Sequence, residues 1–211
     1  MTRIELLKKI DGILIEYFTK YAQFKIQFLN KLGTQKYDLS GCKTLVQVHS
    51  SRVVSNSCDL EGDGILVGNQ IKTAGVFSAD CVPVVLVGKK FGVIAHCGWR
   101  GLRAGILTSA MNTLGEPPEL MVLGPSAQIC CYEVKEDFLA TFREAQFYRA
   151  FDGKFFFSLQ ALIKSQIGSC CLAIDTNICT ICDKSWFSFR RDKKRANNLS
   201  VLSVIPVAET T

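Results

Sequence analysis

Histidine is nearly absent from this chain: 211 residues contain two, His49 and His96. Chemistry that needs an imidazole must therefore run through those two positions. Long apolar runs are also missing, and none approaches the roughly 18 residues of a membrane-spanning helix. The first residues, Met1-Thr2-Arg3-Ile4-Glu5-Leu6-Leu7-Lys8-Lys9, put charge where a secretory signal needs an apolar core. No internal repeat and no Walker spacing occur, which argues against a solenoid and a P-loop. Cys179-Thr180-Ile181-Cys182 has redox or zinc spacing, but neither a second CxxC pair nor a nearby histidine accompanies it. The expectation is a cytoplasmic protein with no membrane partner.

What is present fits one globular domain, with 48% hydrophobic and 21% charged residues. In a reducing compartment the ten cysteines are expected as free thiols or metal ligands rather than disulfides. The vicinal pairs Cys130-Cys131 and Cys170-Cys171 read most simply as small apolar core residues. The net charge is +6, with much of the excess in Lys184, Arg190, Arg191, Lys193, Lys194 and Arg195. A solvated hairpin or loop accounts for that run, as does capture of an anionic substrate or weak nucleic-acid contact. The phenylalanines sit mainly in apolar runs such as Phe155-Phe156-Phe157, a core pattern rather than a base-stacking platform. Nucleic acid is therefore not the expected partner.

Residues 3–30 carry Ile4, Leu7, Ile10, Ile13 and Leu14 at helical spacing, which predicts a helix over at least the first part. From 44 onward short β-rich runs take over, at 44–49, 64–68, 74–78, 83–88 and 91–96. Gly88-Lys89-Lys90 reads as a tight hairpin. Leu102, Ile106, Ala110 and Leu114 predict an amphipathic helix ending near Gly115. A strand at 120–123, helices near 135–147 and 158–168, and strands at 171–174, 186–190 and 200–206 complete the reading. The order implies an α/β domain with a mixed sheet, and 31–43 is the one candidate linker.

His49 closes the run 44–49, Cys81 precedes the run 83–88, and His96 closes the run 91–96. Two imidazoles and a thiol match the ligand number of a catalytic zinc site, which leaves a fourth position for water and lowers that water's pKa to about 7. Each residue alone has a plainer explanation, a core cysteine or a hydrogen-bonded structural histidine. Without a metal, Cys81 could serve as a thiolate nucleophile with His96 or His49 as its base. Gly98-Trp99-Arg100-Gly101 leads into the predicted helix; it reads equally as a simple turn or as an anion site reinforced by Arg100 and Arg103. Gly124-Pro125 is a second loop that could line the same cleft. Asp80 would face away from Cys81 on a regular strand and reaches the site only at a strand end. Asp63 could hold a ligand histidine from behind, or could serve an Asp-Gly turn.

Five blocks together resemble one family: Gln47-Val48-His49; Ala79-Asp80-Cys81-Val82-Pro83-Val84; Ala95-His96-Cys97-Gly98-Trp99-Arg100-Gly101; Gly124-Pro125 with Cys130-Cys131-Tyr132-Glu133-Val134; and Cys179-Thr180 with Phe187-Ser188-Phe189-Arg190-Arg191-Asp192. They are similar, in order and over roughly residues 41–206, to the bacterial laccase-domain family. That family carries two labels, multicopper polyphenol oxidoreductase and purine nucleoside phosphorylase with adenosine deaminase activity. The resemblance implies zinc ligands at His49, Cys81 and His96. It also implies a layered α/β sandwich with a mixed β-sheet, similar to cytotoxic-necrotizing-factor catalytic domains. On this reading residues 1–40 form an N-terminal helical segment, reduced relative to the family, and 41–211 the catalytic part of one structural domain. The chain departs from the pattern at its N-terminal motifs, at Cys97 where alanine is usual, and at Lys193-Lys194-Arg195-Ala196-Asn197 where Thr-Gly-Arg is customary.

A multicopper centre needs on the order of ten imidazoles, because imidazole is a preferred copper ligand; two do not suffice. The expected function is thus a zinc enzyme of purine nucleosides, with nucleoside and phosphate as partners. In deamination a zinc-activated water attacks C6 of adenine, with Asp80 as the proton shuttle. In phosphorolysis Arg100 with Gly98 and Gly101 would hold the anion. The alternatives are a Cys81–His hydrolase editing cell-wall precursors, weak phenol oxidation by a single Cu2+ at the same site, and a binding protein without activity.

Overall fold

The computed structural model describes residues 3–207. Its strands form two large sheets and one small one. Strands β1 (Arg3–Lys9), β2 (Gly12–Phe18) and β3 (Ala22–Leu29) make an antiparallel meander. Here the expected helix over 3–30 is corrected. Phe24, Ile26 and Phe28 are all fully buried, and they alternate with the half-buried Gln23, Lys25 and Gln27. A period of two cannot place one apolar stripe on a helix but fills one face of a strand. The short helix α1 (Lys31–Lys36) follows, capped by the Asn30 side chain, which accepts from the N–H groups of Leu32 and Gly33.

The five-stranded sheet is completed by β14 (Asn198–Pro206) and β6 (Thr73–Ser78), in the order β1-β2-β3-β14-β6. The C-terminal strand thus lies between the N-terminal meander and β6, which joins residues 3–29 to the rest as one domain. The second sheet runs β13-β9-β7-β8-β5-β4. Its members are β4 (Val53–Val54), β5 (Gly64–Val67), β7 (Val82–Val87), β8 (Gly92–Cys97), β9 (Leu120–Leu123) and β13 (Leu172–Asp175). Parallel pairs at its two edges flank an antiparallel centre, so the sheet is mixed.

Both faces of this central sheet are covered, and the sequence of β7 shows why it reads as continuous apolar residues. Val82, Val84 and Leu86 pack on one side with the helical layer; Val85 and Val87 pack on the other, against Phe24, Ile26 and Leu202 of the five-stranded sheet. The helical layer consists of α2 (Trp99–Ala104), α3 (Ile106–Leu114) and α4 (Leu159–Ile167). Leu102, Ile106, Ala110 and Leu114 are all buried, as their spacing predicted. Gly105, at φ +91°, separates α2 from α3. A small sheet of β10 (Glu133–Val134), β12 (Lys154–Phe157) and β11 (Tyr148–Phe151) lies on the same side. The result is a layered α/β sandwich with a mixed sheet.

Three other expectations change. Residues 44–49 do not form a strand: Val46 and Val48 are exposed, and the segment's one β-bridge is Val46 to Glu61. The predicted helix near 135–147 is two 3-10 turns, Glu136–Ala140 and Ala145–Phe147. The expected strand at 186–190 is replaced by the short helix α5 (Phe189–Asp192), capped by Ser188 Oγ, which accepts from Arg191 N–H.

Candidate metal centre

His49, Cys81 and His96 converge, with their ligand atoms all within 4.8 Å of one another. Cys81 Sγ is 4.0 Å from His49 Nε2, and the two imidazole centroids are 4.8 Å apart at 69°. His96 comes from the end of β8, in register with Pro83 of β7, and Cys81 sits just before β7. His49 comes from the irregular segment, held at φ +61°, an uncommon conformation for a residue with a side chain.

Asp63 explains how that conformation is kept. It is fully buried just before β5, and its carboxylate accepts N–H bonds from Val48 (3.2 Å), His49 (3.0 Å) and Ser50 (2.6 Å), as well as the Ser50 hydroxyl. Its Oδ1 also receives His96 Nδ1–H at 2.9 Å. The latter bond fixes the ring so that the other nitrogen faces Cys81. One carboxylate therefore orients both histidines.

Charge reinforces the geometry. Burial disfavours an ionised Cys81, but the imidazoles of His49 and His96 outweigh it and bring the thiol down to about 7. Burial likewise disfavours an imidazolium at His96, and Asp63 with the Cys81 sulfur raises it to about 9. Asp63 is held near 2, because hydrogen bonds from His96 and Ser50 overcome its burial. The site thus stabilises a thiolate beside a carboxylate-backed imidazole, a donor set that zinc accepts. A cation held here would take the place of the proton that His96 otherwise carries.

Gly98, in the turn before α2, is close to this set for a steric reason. A Cβ there would lie 2.7 Å from Cys81 Sγ and 3.0 Å from His49 Cδ2. A Cβ on Gly101 would lie 3.1 Å from the Ser50 carbonyl oxygen, so this glycine lets α2 pack against the His49 turn. Both glycines that the sequence suggested for anion binding thus have a packing role. Arg100 stacks over Trp99, its guanidinium carbon 4.4 Å from the ring centroid.

Asp80 needs a correction. At φ +89° it leaves strand geometry, and its buried carboxylate is taken up by Thr180 Oγ1–H at 2.8 Å and Arg190 N–H at 2.7 Å. With both oxygens engaged it anchors two loops, and the proton-shuttle role expected of it does not fit that arrangement.

The centre opens onto a cleft of about 950 Å³. Phe77, Trp99, Tyr132 and Phe189 supply apolar walls, and Arg100, Arg190, Lys193, Lys194 and Arg195 a basic rim. The basic run near the end of the sequence is therefore part of the cleft. The sequence reading placed Tyr132 in a family block without a role; its ring lies 3.9 Å from the Arg190 guanidinium carbon. The adjoining Cys130-Cys131 stands in the same block and reads from the sequence as small core residues.

A layered α/β fold with a Cys/His centre at the strand ends of its central sheet defines the class. The chain belongs to the family described as multi-copper polyphenol oxidoreductase laccase, whose model matches residues 26–204. It is 34% identical over 169 residues to a purine nucleoside phosphorylase of Aquifex aeolicus, covering 76% of this chain and 81% of that protein. It is 33% identical over 96 residues, 42% of this chain and 37% of that protein, to adenosine deaminase RL5 of an unknown prokaryotic organism. Among solved structures, the hypothetical protein YfiH of Bacillus licheniformis superposes with a TM-score of 0.74 at 19% identity, over 85% of this chain and 92% of that one. A Neisseria meningitidis protein gives 0.72 at 22%, over 87% and 94%. Both likenesses bear on the fold.

Proposed function

We propose that the chain is a zinc-dependent purine nucleoside enzyme that cleaves nucleosides by phosphorolysis and, secondarily, deaminates adenosine. The observation that carries this reading is the His49–Cys81–His96 set at the floor of a cleft with aromatic walls and a cationic rim. The named activities of the relatives, phosphorylase and deaminase, point the same way. The ends of β6 (Phe77, Ser78) and β8 (His96) line this cleft, and no helix among the described residues is long and apolar enough to cross a membrane.

His49, Cys81 and His96 would hold the ion, and the donor set suits zinc with one position left over. When bound, zinc supplies Lewis acidity and lowers the pKa of a coordinated water. The chain's own residues do the rest. Phe77, Tyr132 and Phe189 offer flat apolar surface for a purine ring. Arg100, Lys193, Lys194 and Arg195 set a positive potential at the rim, where an anionic phosphate would be drawn in. In phosphorolysis that phosphate attacks the anomeric carbon, the glycosidic C–N bond breaks, and the base departs with a proton.

Phosphorolysis is placed first because of Asp80. It is the one carboxylate lining the cleft among the described residues, and its oxygens are already bonded to Thr180 and Arg190. Deamination needs a carboxylate to shuttle protons, whereas phosphorolysis needs a held anion. The low thiol pKa of Cys81 favours a second reading, a metal-free Cys81–His96 hydrolase. A two-histidine chain cannot build a multinuclear copper centre, though a single Cu2+ at the same ligands is compatible with weak phenol oxidation.

The test is one incubation of zinc-loaded protein with adenosine, with and without phosphate, resolving adenine, ribose 1-phosphate and inosine. Adenine and ribose 1-phosphate should dominate and require phosphate. Inosine as the main product at a phosphate-independent rate would reverse the order, and no product would remove the reading.

A further inference from the structure

Four of the ten cysteines meet away from the His49–Cys81–His96 centre. Cys130 and Cys131 lie in the loop before β10, and Cys179 and Cys182 in the loop after β13. The four sulfurs all lie within 4.8 Å of one another. Cys182 Sγ is 3.8 Å from Cys130 Sγ and 3.2 Å from Cys131 Sγ. A tetrahedral zinc with Zn–S bonds of about 2.3 Å has sulfur–sulfur edges of about 3.8 Å. The four sulfurs are thus gathered at a spacing around that edge, and all four residues are free thiols.

The CxxC segment is held in shape by Asp183 N–H to the Cys179 carbonyl (2.9 Å) and Thr180 N–H to the Ser126 carbonyl (3.0 Å). Arg191 donates to the carbonyls of Thr180, Ile181 and Asp183, which brings a cation beside the cluster. Four thiolates around Zn2+ would carry a net charge of −2, toward which the Arg191 guanidinium, also paired with Asp192, brings positive charge. Packing as a small core residue describes Cys179, which is buried, but not Cys130 or Cys182, which are exposed.

We propose that Cys130, Cys131, Cys179 and Cys182 bind a second zinc ion, a closed four-sulfur site that clamps the two loops together. All four positions are filled by protein, as in structural zinc sites, and soft thiolates select such a metal. The clamp acts on the cleft from outside. One loop carries Tyr132, which lines it, and the other carries Thr180, whose hydroxyl holds Asp80 at 2.8 Å. No residue of this set belongs to the first centre, so the proposal stands whichever reaction that centre performs.

Zinc content by elemental mass spectrometry, on the full chain purified without chelator, reads the proposal directly. About two zinc ions per wild-type chain are expected, falling to one in Cys179→Ser/Cys182→Ser, with ten thiols titrating in denaturant plus chelator and no reductant. A single zinc in both proteins, or eight titratable thiols in the wild type from a Cys131–Cys182 disulfide, overturns it. Should that variant not fold, cobalt-loaded His49→Ala/Cys81→Ala protein retains only the four-sulfur set. Intense sulfur-to-cobalt absorption is expected from it, and its absence overturns the proposal.

Discussion

Asp63 carries more of the candidate centre than its single position in the sequence suggests. It receives His96 Nδ1–H and the N–H groups of residues 48–50 with one fully buried carboxylate. Asp63→Asn puts an NH2 group where one of those oxygens accepts. Zinc affinity is expected to fall about 10–100-fold, the usual cost of losing the partner behind a ligand histidine. Competition with a chromogenic chelator measures it, with circular dichroism as a check on the fold; unchanged affinity would leave Asp63 as a turn residue only. The three ligands and Asp63 were open to a sequence reading because each stands beside a short apolar run or an Asp-Gly pair. Asp80 does sit at a strand end, the condition on which the sequence reading admitted it, but its partners Thr180 and Arg190 come from distant loops that no local pattern announces. The four-sulfur cluster was not legible, since its pairs are far apart in the chain and only the fold brings the two loops together.

At the scale of elements, β3 is the link between the N-terminal meander and the site. Phe28 is fully buried, and an ideal Cβ on Gly124 would lie 2.4 Å from its ring and 2.6 Å from Pro83. The ring therefore backs the part of β7 that is in register with His96. Phe28→Ala should destabilise the protein by about 3–5 kcal/mol, because the cavity adds to the lost burial. Urea unfolding checks this, and a loss under about 1 kcal/mol would show that the ring does not fill that space. The meander was misread because β2 is buried on most of both faces, which erases alternation, while Ile4, Leu7 and Ile10 happen to fall at helical intervals. The alternation in β3 was the usable signal. By contrast, the hairpin between β7 and β8 and the buried stripe of α3 follow from local patterns that the tertiary structure leaves intact.

For the molecule as a whole, two packed cores on either side of the central sheet bring the loop and strand ends that carry His49, Cys81 and His96 to one cleft. The net charge of +6 is partly gathered at the rim of that cleft, where it would serve an anionic co-substrate. Lys193, Lys194 and Arg195 together leave that rim strongly cationic. What distinguishes a metal enzyme from a thiol hydrolase on the same three residues is whether turnover depends on the ion. The decisive measurement is adenosine turnover by protein stripped of metal and then titrated with zinc, in the wild type and in Cys81→Ala. Turnover should vanish on stripping, return with zinc in the wild type, and stay absent in Cys81→Ala at every zinc concentration. Full activity in the stripped wild-type protein would contradict the account.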